Sequence, residues 1–136
     1  MADETSAAQA EPGAIWPFFI VGSVPRSLAF YCGTLGFMVE FQQPQADPFF
    51  ALIYRGGAQL FLKDVGDGVA ATPNPSRHRD ARWDAYVYTP DPDGLAAQFA
   101  RAGCAFSTPL GDNSDNLRGF EITDPDGYVL FFGRPN

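Results

Sequence analysis

Histidine and cysteine are scarce in this chain, which removes most of the side chains that hold transition metals or form covalent cross-links. The single histidine, His78, lies between Arg77 and Arg79, where a solvated residue is expected rather than a ligand. The two cysteines, Cys32 and Cys104, form neither a disulfide framework nor a CxxC motif. We therefore predict two small buried apolar side chains, no metal site and no cofactor.

Basic residues are also few: nine Lys and Arg stand against 16 Asp and Glu, for a net charge of −7. This balance disfavours nucleic acid and anionic membrane surfaces as partners. It favours a cationic ligand if the negative charge lies near the site. If the charge lies elsewhere, it contributes to solubility alone.

Long apolar runs are absent too, so no segment is predicted to cross a membrane as a helix. Residues 1–13 are acidic and lack the basic start and apolar stretch of a secretion signal. We predict a disordered tail over residues 1–13, one domain over residues 14–136 and a cytoplasmic location.

Aromatic side chains are abundant, with 13 Phe, five Tyr and two Trp among 136 residues. Most of them are expected in the core, and some are expected to line a cavity or an interface. The two tryptophans also mark an internal repeat. An offset of 67 places Trp16 on Trp83, and an offset of 70 places residues 59–62 on residues 129–132.

The repeat predicts an α+β fold built from two βαβββ modules, residues 14–64 and 82–134, joined by a linker at residues 65–81. Each module carries one helix, bounded by turn and capping residues, among strands of apolar, β-prone residues. The predicted helices are residues 25–34 and 92–101. The predicted strands are residues 15–22, 37–42, 49–54, 58–63, 83–89, 105–109, 118–123 and 128–133.

Two motifs connect the chain to a known superfamily. The segment Ser27-Leu28-Ala29-Phe30-Tyr31, followed by Leu35-Gly36-Phe37, and the hairpin segment from Phe120 to Tyr128 with its Asp-Pro-Asp-Gly turn occur in order. Together they resemble the vicinal oxygen chelate superfamily, which includes glyoxalase I, bleomycin-resistance proteins and extradiol dioxygenases. The resemblance implies mixed sheets that curl around a cleft, commonly in a dimer with the cleft near the interface.

Catalytic members of that superfamily bind a divalent metal at four strand positions, which the motifs carry over to Trp16, Phe61, Trp83 and Phe131. None of these side chains can donate a lone pair to a metal. A register shifted by one residue would supply a single carboxylate, Asp84. The resemblance therefore points to the metal-free, bleomycin-resistance-like branch.

This branch implies a homodimer that sequesters a flat aromatic or cationic compound, such as an antibiotic, without altering it. The residues expected to bind the ligand are Trp16, Phe18, Phe61, Trp83, Asp84, Glu121 and Phe131. Two other interpretations stay open. The aromatic rings could pack on one another and close the cleft, or the chain could contribute only a dimer surface.

Glu121 is the main polar candidate, because strand alternation places it opposite Phe120 and Ile122. It would bind a ligand amine if it faces the cleft, and otherwise it is an exposed strand carboxylate. Alternation likewise predicts Asp84 and Tyr86 on the face opposite Trp83. As an alternative function, Glu121 or Asp84 could act as the general base of a glyoxalase-like lyase or isomerase.

Overall fold

The computed structural model describes residues 9–136, so residues 1–8 of the predicted tail lie outside the described part of the chain. Residues 9–17 are without helix or strand. The elements that follow are β1 (Phe18–Ile20), α1 (Val24–Tyr31), β2 (Met38–Gln43), β3 (Phe50–Arg55), β4 (Ala58–Lys63), α2 (Asn74–Arg77), β5 (Ala85–Tyr88), α3 (Pro92–Arg101), β6 (Thr108–Asp112), β7 (Leu117–Thr123) and β8 (Val129–Pro135).

The strands form two four-stranded mixed sheets, in the orders β1-β4-β3-β2 and β5-β8-β7-β6. In each sheet the first strand pairs parallel with the last, and the other neighbours pair antiparallel. The sheets curl only weakly. The predicted α+β fold of two βαβββ modules is confirmed.

Both main helices begin where the sequence predicts. The Ser23 hydroxyl accepts a hydrogen bond from the Arg26 N–H, and the Asp91 carboxylate accepts one from the Gly94 N–H, so each caps a helix N-terminus. Helix α1 is shorter than predicted, because residues 32–35 form turns rather than a last helical turn. Gly36 follows with a φ of 75°, a conformation that glycine adopts without strain.

Several strand boundaries differ from the prediction. Strand β6 begins three residues later than expected, since Cys104 N–H bonds back to the Phe99 carbonyl and the Phe106 ring stacks on Phe120 before pairing starts. The linker holds the short helix α2, which the sequence pattern did not indicate. Cys32 and Cys104 are half-buried rather than fully buried, and burial raises the pKa of both thiols.

One hydrophobic core joins the two modules through the faces of the sheets that carry the helices. It includes Phe19, Ile53 and Leu62 from the first module and Phe99, Phe120 and Phe132 from the second. The Tyr31 hydroxyl of α1 donates a 2.7 Å hydrogen bond to Asp124 in the β7–β8 turn. Because the helix-bearing faces meet, the opposite face of each sheet points away from the core.

No helix among residues 9–136 is long and apolar enough to span a membrane.

Candidate functional site

The outer face of the first sheet carries an N-terminal aromatic cluster, defined here as Trp16, Phe18, Phe50 and Phe61. Phe61 lies at its centre, with ring centroids 5.9 Å from Trp16, 5.5 Å from Phe18 and 5.9 Å from Phe50. Alternation along β4 turns Phe61 outward while Leu60 and Leu62 enter the core. Trp16 is 40% exposed and Phe18 57% exposed, so this cluster presents open ring surface.

The second sheet carries a C-terminal aromatic cluster of Trp83, Tyr86 and Phe131. Trp83 stacks on Phe131 with centroids 4.6 Å apart and planes at 25°, and Tyr86 lies 5.3 Å from Phe131. Phe131 is only 2% exposed, whereas Tyr86 is 42% exposed. The cluster therefore has a buried base and a more open rim.

Two glycines make room for the base of this cluster. Gly119 and Gly133 are directly paired between β7 and β8. A Cβ atom on either residue would lie 2.6 Å from the Phe131 ring, closer than side chains normally approach. The ring of Phe131 thus rests on bare backbone, which fixes its position beneath Trp83.

Glu121 holds the indole of Trp83. The Trp83 Nε1–H donates a 2.7 Å hydrogen bond to one carboxylate oxygen, and the Thr108 hydroxyl donates a 3.0 Å bond to the other. Glu121 lies on the outer face, opposite the buried Phe120 and Ile122, as alternation predicts. Its carboxylate orients an aromatic ring, a contact that none of the roles predicted for Glu121 included.

The prediction from strand alternation that Trp83 and Tyr86 lie on opposite faces of the sheet was wrong. The indole contacts Tyr86 at 5.8 Å instead of facing the other side of the sheet. The physical reason is that β5 begins only at Ala85, so residues 83 and 84 precede the regular strand. Asp84 is turned toward the backbone, where its two oxygens accept hydrogen bonds from Asn74 N–H at 2.7 Å and Val129 N–H at 2.8 Å.

Arg82 covers part of the same indole. Its guanidinium carbon lies 5.1 Å from the Trp83 ring centroid, in a cation–π contact. A 2.9 Å ion pair ties the guanidinium to Asp115 in the β6–β7 turn. Sequence reasoning missed Arg82, Thr108, Phe50 and the involvement of Tyr86, because none of these contacts follows from the repeat or from the family motifs.

The two clusters do not touch within one chain. In residues 9–136, no close aromatic pair joins Trp16 or Phe61 to Trp83 or Phe131. A groove of about 820 Å³ runs between the modules, lined on one side by Ile15 and Pro17 and on the other by residues 84–90. Tyr86 lines this groove, whereas Trp16, Phe61, Trp83 and Phe131 lie beside it. The role of these rings in ligand binding stays a prediction.

The four positions to which the resemblance assigns metal ligands, Trp16, Phe61, Trp83 and Phe131, do not fit a metal here. Indole and phenyl groups offer no donor atom, and the Trp83 N–H is already bonded to Glu121. Within the described residues no three His, Cys, Asp or Glu side chains are grouped closely enough to hold an ion. His78 lies in the exposed linker, where its Nδ1 atom is 3.8 Å from a carboxylate oxygen of Asp80.

Arg118 is engaged by two carboxylates. Its guanidinium donates two 2.8 Å hydrogen bonds to Asp93 and one of 3.0 Å to Asp112. Hydrogen bonding to Arg118 lowers the pKa of both carboxyl groups, and the same bonds raise the pKa of Arg118 further above its ordinary range. This cluster fastens α3 to the second sheet.

Two βαβββ modules whose helix-bearing sheet faces meet in one core define a glyoxalase-type fold. The chain belongs to the Glyoxalase/Bleomycin resistance protein/Dioxygenase superfamily, whose sequence model matches residues 14–132. No curated protein matches the sequence.

Solved structures share the fold across nearly the whole chain. The bleomycin-binding protein from bleomycin-producing Streptomyces verticillus, complexed with copper(II)-bleomycin, is 24% identical, with 94% of this chain and 100% of that chain covered and a TM-score of 0.67. TioX from Micromonospora sp. ML1 is 19% identical, with 91% and 100% covered and a TM-score of 0.68. TnmS3, an antibiotic-binding protein from Streptomyces sp. CB03234, is 22% identical, with 93% and 100% covered and a TM-score of 0.63.

Proposed function

We propose that this protein is a metal-independent binding protein that sequesters a flat aromatic or cationic small molecule, such as an antibiotic, on its two aromatic clusters. The observation that carries the proposal is the pair of outward-facing aromatic clusters, which include the four positions to which the resemblance assigns metal ligands. Similar structures named for binding bleomycin or another antibiotic support the ligand class.

The chemistry of the clusters suits such a ligand. Ring-on-ring contacts contribute about 0.5–1.5 kcal/mol each beyond the burial of apolar area, and a cation over an indole contributes about 0.5–2 kcal/mol. Together with the burial of apolar area, a few contacts of this kind would support an affinity near 1 μM, or about −8 kcal/mol, if the site is preorganised. Preorganisation of Trp83 by Glu121 and Phe131 lowers the ordering cost of binding.

The proposal includes a homodimer. The outer faces expose large apolar side chains, among them Phe18, Met38 and Tyr88, and such patches commonly mark interfaces. A second copy that lays its C-terminal cluster across the N-terminal cluster of the first would cover both faces. That arrangement would also bring Trp16 and Phe61 of one copy opposite Trp83 and Phe131 of the other, and so enclose a ligand.

Isothermal titration calorimetry with bleomycin and with a panel of planar cations tests the binding. Phe18→Leu removes an exposed ring of the N-terminal cluster and should weaken binding by about 2- to 10-fold. Phe30→Leu is the matched control, because Phe30 lies on α1, away from both clusters, and it should leave the affinity unchanged. Equal losses in the two variants, or no binding by any compound, would overturn the proposal.

Light scattering on the purified protein tests the homodimer. A monomer at every concentration up to those used in the binding titrations would overturn the proposed dimer. Turnover of a methylglyoxal hemithioacetal is expected to be absent. Measurable turnover that Glu121→Gln or Asp84→Asn abolishes would favour the alternative lyase or isomerase. We also propose a cytoplasmic location, which fractionation of expressing cells would check.

A further inference from the structure

The indole of Trp83 is engaged on three sides before any ligand arrives. Phe131 stacks at 4.6 Å on one face, and Glu121 accepts the N–H at 2.7 Å. The Arg82 guanidinium lies over the ring at 5.1 Å. Since the stacked phenyl ring fills one face, the guanidinium covers the other.

We propose that Arg82 is a built-in cation that closes the open face of Trp83, so that a ligand stacks there only by displacing its guanidinium. The inference rests on the proposed ligand-binding function and specifies what that site selects. A flat cation can replace the guanidinium in both of its contacts, over the indole and beside Asp115. A flat uncharged compound replaces only the first contact and leaves the carboxylate without its partner.

The contacts of Arg82 are suited to exchange. The ion pair with Asp115 joins two half-exposed side chains, 46% and 59% accessible, and such pairs are weak because water screens them. The cation–π contact is likewise at the surface. Arg82 also lies directly after the linker and before β5, so its side chain can turn away without disturbing a strand.

The negative charge around the indole favours a cationic occupant. Glu121 accepts the Trp83 N–H, and a carboxylate at that edge makes the ring face a better partner for a cation. Asp115 adds a second carboxylate on the open side. In the N-terminal module the equivalent of Arg82 is Ile15, which is 94% exposed and uncharged, so this repeat position places a guanidinium over the indole in the C-terminal cluster and an apolar side chain in the N-terminal cluster.

A first experiment needs no ligand. In a Trp16→Phe background, Trp83 is the sole tryptophan, and acrylamide quenching of its fluorescence reports how open the indole is. Arg82→Gln should raise the quenching constant about twofold, and Arg79→Gln, which removes the same charge from the same loop, should not. Equal quenching constants in the two variants would contradict the proposal that Arg82 covers the indole of Trp83.

A second experiment measures selectivity by calorimetry, with Trp16 intact. The probes are proflavine, a planar cation, and acridone, which is planar and uncharged. The unmodified protein should prefer proflavine. Arg82→Gln should bind both probes about 3- to 10-fold more tightly, because no guanidinium has to leave, while Arg79→Gln should match the unmodified protein.

The outcomes separate the two levels of the proposal. Weaker binding of proflavine by Arg82→Gln would overturn the inference, because it would mean that Arg82 holds the ligand rather than competing with it. If quenching rises in Arg82→Gln but neither probe binds to any variant, the cover of Trp83 stands and the proposed function for planar ligands fails.

Discussion

Trp16 and Trp83 occupy equivalent places in the two modules, yet one indole is loosely packed and the other is held on three sides. Trp16 tilts by 51° against Phe61 at 5.9 Å, whereas Trp83 stacks at 25° and 4.6 Å on Phe131. The Trp83 N–H has Glu121 as its acceptor, whereas Trp16 is 40% exposed. The same repeat position therefore gives a more open ring in one module and a ring with a close stacking partner and a hydrogen-bond acceptor in the other.

The difference comes from neighbours that the repeat did not keep. Phe61 pairs across the sheet with Leu52, whereas Phe131 pairs with Glu121. The glycine pair beneath Phe131 corresponds to Phe50 and Lys63 in the first module, where Lys63 lies over the Phe50 ring at 5.7 Å. Backbone topology thus places each indole, and the residues of the neighbouring strands determine the contacts that the indole makes.

The turns that close the two modules differ in the same way. In the second module, the β7–β8 turn buries the Asp124 carboxylate, which accepts bonds from Tyr31 and from the N–H groups of Asp126 and Tyr128. In the first module, Arg55 at the β3–β4 turn reaches the Leu35 carbonyl and the Gln98 side chain. Each turn fastens its module to the helix region of the other, one by a buried anion and one by a cation.

The largest effect is expected from Gly133→Ala. A Cβ atom there would collide with the Phe131 ring and with the backbone of Arg118, so β7, β8 or the ring must shift. We expect a loss of about 2–4 kcal/mol in the free energy of unfolding, measured by urea denaturation. Gly57→Ala is the control, because a Cβ there meets nothing within 4 Å. Equal costs for the two variants would show that Phe131 does not depend on bare backbone.

Tyr31→Phe should have the next largest effect. It removes the 2.7 Å hydrogen bond to Asp124 and leaves a buried carboxylate oxygen without that partner. Loss of such a bond to a buried charged group costs about 1.5–3 kcal/mol in unfolding free energy. Tyr88→Phe, at a 63% exposed position, should cost almost nothing. Similar denaturation midpoints for the two variants would contradict the role of this bond between the modules.

Glu121→Gln tests the contrast between the two indoles directly. The substitution keeps the shape but removes the charge that strengthens the bond from the Trp83 N–H. We expect the free energy of unfolding to fall by about 1 kcal/mol. We also expect freer motion of Trp83, seen as weaker near-ultraviolet circular dichroism in a Trp16→Phe background. Glu40→Gln, on the exposed part of β2, serves as the control. An unchanged spectrum in Glu121→Gln would mean that Phe131 alone fixes the ring.

The architecture could be predicted from the sequence because capping and turn residues act on their own neighbours in the chain, and because the repeat shows that the same order of elements occurs twice. Ser23 and Asp91 cap the predicted helices, and the Asp124–Gly127 turn closes the predicted last hairpin. The start of β6 could not be predicted in the same way. It depends on the packing of Phe106 against Phe120, a contact between different elements.

The candidate site shows the same limit. The four ring positions followed from the family motifs, and the structure puts each ring on an outer sheet face. The bond between Trp83 and Glu121 joins residues 38 positions apart, and strand alternation gave the wrong side for Trp83. The irregular backbone before β5, held by Asp84, is not encoded in a period-two pattern.

The smallest effect is expected from the pH dependence of the Asp124 contribution. Burial raises the pKa of this carboxyl above its ordinary value of 3.8, and the bonds from Tyr31 and the backbone oppose the shift. A raised pKa means that the folded state holds the proton more tightly than the unfolded chain does. The stabilisation from Asp124 is therefore greatest below the unfolded pKa and decreases as pH rises through the folded value.

Urea denaturation of the unmodified protein and of Asp124→Asn between about pH 4 and pH 7 measures this effect. As pH rises, the free energy of unfolding of the unmodified protein should decrease relative to that of Asp124→Asn. Asp93→Asn is the opposing control, because the hydrogen bond from Arg118 lowers the pKa of Asp93. Its difference should stay flat over that range and decrease only toward lower pH. If the difference for Asp124→Asn is also independent of pH, the hydrogen bonds to Asp124 cancel the effect of its burial on the pKa. The buried turn of the second module would then hold an ionised carboxylate at no greater cost than the protein surface does.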